Sequence, residues 1–179
     1  MRITMRHLLG QCFLFVFGLS VAGIPVRGAD NIAGPLKAQW EEIRYNVVKT
    51  AEIVPEAKYD FKPTPEVMSL REMLVHILQE NYFFMGRAAG ERPSNPGNPK
   101  TRAEMVKALN DSYDYGAKVL AGMTDEKAVE MVNGPGGGKT PRWGIALANI
   151  VDNMDHYGNL VVYMRLNGIV PPSTAPRTR

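Results

Sequence analysis

A chain of 179 residues, 45% of them hydrophobic, is long enough to bury one core and too short for two ordinary domains. Its 21 Lys and Arg face 18 Asp and Glu, but Arg2, Arg6 and Arg27 lie in a segment expected to be removed, which leaves 18 against 18 and no electrostatic footprint for a nucleic-acid partner. The one cysteine, Cys12, lies in the same segment, so the working protein is expected to have no disulfide, thiolate ligand or cysteine nucleophile.

That segment is residues 1–28. Arg2, Arg6 and His7 precede the apolar run "LLGQCFLFVFGLSVAGIPV", and small residues follow at Gly28 and Ala29, the pattern of a secretory signal peptide. Cleavage after Gly28 places Val26 and Gly28 at the two positions that must be small or short. A lipoprotein anchor on Cys12 competes, but bulky Gln11 precedes it and the apolar run lies after it. An uncleaved membrane anchor is weakened by Gly18, Gly23 and Pro25. The expectation is an exported, periplasmic or secreted protein, free of the membrane after cleavage, with one domain over 29–173 and a tail over 174–179.

Helical periodicity then organises the chain. The first helix opens around "AGP", with Pro35 early, and carries Ile32, Leu36, Trp40, Ile43 and Val47 as one stripe. It ends near Val54 and Pro55, and an extended connector, "EAKYDFKPTPEVM", follows. Ser69 and Glu72 form a capping box for the second helix, which runs through Leu70, Met73, Leu74, Ile77, Asn81 and Phe84 to about Arg87. After the loop "GERPSNPGNPK", Thr101 and Glu104 repeat the box for a third helix with Met105, Leu109, Tyr113 and Leu120 inward. A short helical piece follows Thr124. Thr140 and Pro141 are read as cap and first residue of a fourth helix whose stripe is Trp143, Leu147, Ile150, Met154, Tyr157, Val161 and Met164, stopping at Asn167 and Gly168. No segment alternates convincingly with period two. The fold predicted is all-α, an antiparallel four-helix bundle.

"NGPGGGKT", residues 133–140, invites comparison with a phosphate-binding loop. The pattern requires glycine at position 133, which is Asn133, and no buried strand precedes it. A linker before a capped helix is the simpler reading.

"VDNMDHYGNL", residues 151–160, sets Asp152 and His156 four apart, where both project from one face of a helix and reach one cation together. His76 is the only other histidine after residue 28. Two imidazoles and a carboxylate make a three-ligand site for a divalent transition metal with positions left open for Lewis-acid activation or a bound hydroxide. The opposing reading, a half-buried histidine with an aspartate as its ion-pair partner, is equally compatible with the spacing.

"YDFKPTPEVMSLREMLVHILQENYFF" (59–84) and, far downstream, "DNMDHYGNLVVYMRLNGIVPPS" (152–173) together resemble the DinB superfamily of DinB/YfiT-like proteins, over essentially the whole chain after residue 28. The resemblance implies a four-helix bundle whose second helix supplies one histidine, and whose last helix supplies a His-x-x-x-His pair, to a divalent metal. His76 and His156 match the outer ligands, and Asp152 stands at the middle position, a departure from the three-histidine pattern. The metal implied is zinc or nickel, with iron or manganese admitted by the harder aspartate oxygen. Asp155, Asn159, Asn81 and Glu80 are adjacent residues expected to support the ligands by hydrogen bonds. Characterised relatives include thiol S-transferases and a thiol-dependent isomerase. Export disfavours that activity, because those thiol cosubstrates are cytosolic.

The expectation is therefore an exported metal-dependent hydrolase or transferase acting on a small-molecule substrate the sequence does not specify. The alternative is a non-catalytic interaction bundle with a degenerate site. A homodimer is one expectation, because Ile145, Val162 and Leu166 are apolar yet lie outside the main stripe of the last helix; the alternative is that they pack under the "YDFKPTPEV" connector or the Pro-rich tail.

Overall fold

The computed structural model describes residues 32–92 and 95–176; the expected signal segment lies outside them, as do the last three residues. The elements in chain order are α1 (Ala33–Ile53), a 3-10 turn (Glu56–Lys58), α2 (Leu70–Ala89), α3 (Arg102–Ala121), the short α4 (Asp125–Ala128), β1 (Met131–Asn133), β2 (Lys139–Pro141) and α5 (Arg142–Leu166). The four long helices close a ring in the order α1, α3, α2, α5, each packed on its two neighbours. Among the described residues no helix is long and apolar enough to cross a membrane.

Local chemistry explains where the helices begin. Ser69 Oγ accepts from the Glu72 amide and Glu72 returns its carboxylate to the Ser69 amide at 2.6 Å; Thr101 and Glu104 repeat the arrangement on α3. Both capping boxes therefore stand where the sequence placed them. Pro35 sits in the first turn of α1, where its missing N–H breaks no helical bond.

The core is assembled around Trp40. Its indole N–H donates to the Tyr113 carbonyl at 2.9 Å, its ring lies 4.8 Å from that of Tyr113, and Gly116 on α3 leaves the room it occupies. Leu74, Ile77, Leu78, Met85, Met105, Leu109, Leu120, Ile145 and Leu160 close the layer around it.

Two expectations require correction. The glycine-rich stretch is not a bare linker: β1 and β2 pair antiparallel around it, with Val132 opposite Thr140. Three-residue strands carry too little period-two pattern to be read. The Gly134 amide donates to the Gly138 carbonyl and the Gly137 amide to that of Gly134, so these donors close the hairpin instead of facing an anion. Thr140 consequently belongs to β2, and Pro141 precedes α5 without a side-chain cap.

The second correction concerns α5. Its buried face is rotated from the expected stripe and runs through Ile145, Ala146, Asn149, Ile150, Asn153, Tyr157, Leu160 and Met164, while Leu147 and Met154 are exposed. The cause is that Asn153 is buried in hydrogen bonds with Tyr113, Asn81 and Asn149, and Asn149 lies buried with it, which an apolar periodicity count does not register. Ile145, read as surplus to the core, is part of it.

Candidate metal centre

The centre lies where α2 faces α5. On α2, burial of Met73, Leu74, Ile77 and Leu78 turns His76 and Glu80, four residues apart, to the border between core and solvent. On α5 the rotation described above does the same for Asp152 and His156, also four apart. Two (i, i+4) pairs, one of each kind of donor, thus meet across the helix interface.

The imidazoles approach with ring centroids 4.7 Å apart and planes at 75°. Glu80 lies between them: Oε1 is 3.2 Å from His76 Nε2 and Oε2 is 3.3 Å from His156 Nε2. Asp152 Oδ2 is 3.3 Å from the same His156 nitrogen. One ligand atom each from His76, Glu80 and His156 lies within 4.8 Å of the other two. The side chain of His156 is 14% exposed and that of His76 33%, so the centre opens on the His76 side.

Electrostatics sharpen the arrangement. Glu80 Oε2, Asp152 Oδ2 and both nitrogens of His156 are buried without a hydrogen-bond partner. Such orphaned polar atoms are costly, and the convergence of Glu80 Oε2 and Asp152 Oδ2 on His156 Nε2 is the condition a cation relieves. Burial first, and then the adjacent Asp152 carboxyl, push the Glu80 carboxyl up to about 8. Without a cation, a proton shared between the two carboxyls answers the same need. Burial and then the neighbouring His156 hold His76 below the ordinary histidine range, against the opposing pull of Asp152. A neutral imidazole is the form that ligates metal. The donor set, two imidazoles and two carboxylates, suits a divalent transition metal.

The structure therefore gathers His76, Asp152 and His156 in one place and adds Glu80 between the rings. Of the other residues expected to support the ligands, none reaches them by a hydrogen bond. Asp155 and Asn159 are exposed, with Asn159 donating back to the Asp155 carbonyl at 3.2 Å. Asn81 turns into the core, where it donates to Ser112 Oγ and accepts from Asn153. The signal for Glu80 was present in the sequence: His76 and Glu80 repeat, in reverse order, the spacing of Asp152 and His156.

Residues 39–160 match the family model described as DinB superfamily. The chain belongs to the DinB superfamily. Solved structures agree in fold. A DinB-like protein from Bacillus cereus superposes with a TM-score of 0.68 at 15% identity, covering 82% of this chain and 99% of that one. A DinB-like protein from Bacillus subtilis gives 0.67 at 19%, covering 80% and 99%. A conserved protein from Enterococcus faecalis gives 0.62 at 14%, covering 76% and 96%. Among curated proteins nothing matches. At these identities the structural likeness speaks for the bundle alone.

Proposed function

We propose that this DinB-superfamily protein binds one divalent transition metal between α2 and α5 through His76, Glu80 and His156, with Asp152 beside them, and that it uses the metal to hydrolyse or transfer a group on a small molecule. Zinc or nickel is the first expectation; iron or manganese also suits a site with two carboxylates. The observation that carries the reading is the convergence of donor atoms within 4.8 Å, with Glu80 Oε2, Asp152 Oδ2 and His156 Nε2 buried and unanswered.

A bound divalent cation would supply a Lewis acid there. The protein supplies the rest. Glu80, between the rings, brings the negative charge a dication requires. Asp152, on α5 with its Oδ2 3.3 Å from His156 Nε2, stands beside them and is placed to accept a proton from a nucleophile approaching the centre. The exposed edge of His76 leaves one side of the centre accessible. Action outside the cytosol belongs to the same proposal, supported by the pattern of residues 1–28, and favours hydrolysis over thiol transfer.

The test is elemental analysis of the purified protein beside His76→Ala, Glu80→Gln, Asp152→Asn and His156→Ala, after back-titration with zinc, nickel, manganese and, without oxygen, ferrous iron. One metal per chain, lost in both histidine variants, is the expected result. No stoichiometric metal under any of these conditions would sink the proposal and leave the interaction bundle as the reading of this chain.

A further inference from the structure

We propose that the groove beside His76 is the substrate site of this centre, and that its ligand is an amphipathic organic anion, an apolar body ending in a carboxylate or a similarly charged group. The inference rests on the metal-binding reading above and adds the ligand class to it.

The groove has a volume of about 580 Å³. Its floor is one face of α2, where Glu72, Val75, His76 and Gln79 follow one another at helical spacing. One wall is the connector around Val67 and Met68, and the other is the loop at Asn98 and Lys100. His76 is shared between this floor and the metal centre, and it is the more exposed of the two histidines.

Both walls are tied down. Arg71 donates through Nε to Asp60 of the connector at 2.9 Å and through Nη1 to the Lys100 carbonyl of the opposite loop, while its guanidinium lies over the Tyr59 ring. Tyr163 Oη on α5 donates to the Met68 carbonyl at 2.8 Å. A groove held this way exists before the ligand arrives, and binding does not have to order it.

The chemistry of the lining selects the ligand. Val67 and Met68 are exposed apolar side chains on one wall, and Val75 lies below them. Lys62 is spent on Glu72 at 3.0 Å and Arg71 on Asp60. The Glu66 carboxylate turns back onto Thr64 and its own backbone and keeps its charge, on the connector wall away from the opposite loop. Lys100, on the opposite loop, closes no ion pair among the described residues, and its charged neighbour is the Glu104 carboxylate, which the backbone amides of Lys100 and Thr101 hold. An apolar strip on the connector wall, faced across the groove by a cation that closes no ion pair, fits an amphipathic anion.

The test is a titration of the purified protein, metal-free and zinc-loaded, with octanoate and in parallel with 1-octanol, followed by amide correlation spectra. Amides of Val67, Val75 and Gln79 are expected to shift saturably, with octanoate binding roughly three- to fivefold more tightly at low salt, the gain of one partly exposed ion pair. Lys100→Glu should abolish that advantage with an unchanged circular dichroism spectrum, and Val67→Asp on the connector should weaken both ligands. Shifts confined to other faces, equal affinity for acid and alcohol, or an indifferent Lys100→Glu variant would overturn the proposal. Zinc content is read on the same samples. Octanoate bound by a protein that takes up no zinc on loading would sink the metal reading and keep the groove; zinc held without groove shifts would do the reverse.

Discussion

Asn153 on α5 donates through Nδ2 to Oδ1 of Asn81 on α2 at 3.0 Å, and each asparagine is the chain neighbour of a carboxylate at the candidate centre, Asp152 and Glu80. The bond extends inward: Tyr113 Oη donates to Asn153 Oδ1 at 2.9 Å and Asn81 Nδ2 to Ser112 Oγ at 3.0 Å. Three helices are thereby held in register directly behind the centre. Asn153→Ala strips Tyr113 and Asn81 of partners in a buried setting, an expected loss of about 2–4 kcal/mol, whereas Tyr113→Phe removes one bond and costs about 1 kcal/mol. Urea unfolding checks both numbers. Metal affinity should fall at least about tenfold in Asn153→Ala, as for residues that orient ligands; unchanged affinity would confine this network to folding.

The second prediction concerns pH. The folded pKa of Glu80, about 8, lies above its unfolded value of 4.5, so between these limits the folded protein holds the proton more tightly than the unfolded one. The corresponding stability is complete below 4.5 and is lost as pH rises toward 8. His76, lowered by burial, contributes in the opposite direction but only below 6.5. The window from 6.5 to 8 therefore isolates Glu80, with a loss of at most about 2 kcal/mol at 1.4 kcal/mol per pH unit per proton. Metal-free protein should melt lower at pH 8 than at pH 6.5, and Glu80→Gln should not. With zinc the slope should reverse, because ligand deprotonation favours binding as pH rises. Parallel slopes with and without zinc would contradict the assignment of Glu80 as a ligand.

Gly116 provides a third. A Cβ at this position would stand 2.2 Å from the Trp40 indole, far inside van der Waals contact. On helix propensity alone Gly116→Ala should stabilise α3 by about 1 kcal/mol. Displacement of a fully buried tryptophan should outweigh that gain, with a net loss of about 1–3 kcal/mol by overpacking. Thermal unfolding decides which effect wins, and a raised melting temperature would mean that Trp40 yields its place without cost.

These residues show how far the sequence carries. Helix starts at Ser69 and Thr101 were legible because a capping box is local, depending on side chains three residues apart. The bundle followed from apolar spacing, and the meeting of His76 with Asp152 and His156 followed from resemblance. The orientation of α5 was not legible, since Asn153 enters the core through Asn81 and Tyr113, partners distant in sequence, and Asn149 is held only through Asn153. Glu80 was underread for a related reason: whether a carboxylate lies between two histidines or beside them is decided by how α2 and α5 are rotated, which only packing fixes. The hairpin at Met131–Asn133 and Lys139–Pro141 was hidden by its shortness.

The rotation of α5 also relocates the surface on which pairing of two copies is expected. Ile145 is buried, but Val162 and Leu166 remain exposed and are joined by Leu147, Val151 and Met154, the last two 56% and 52% exposed. These residues lie on the side of α5 opposite its buried face. Gly158 falls among them, and nothing stands within 4 Å of where its Cβ would be, so a second helix could approach closely there. Each apolar side chain covered on association contributes up to about 1.5–3 kcal/mol. We predict that the protein sediments as a dimer and that Val151→Glu with Met154→Glu converts it to monomer, with unchanged helicity and unchanged metal content. The metal content matters because Asp152 and Asp155 flank the substituted positions: loss of metal together with the dimer would mean that this face and the centre are coupled, and a wild-type monomer at high concentration would remove the surface as a pairing site.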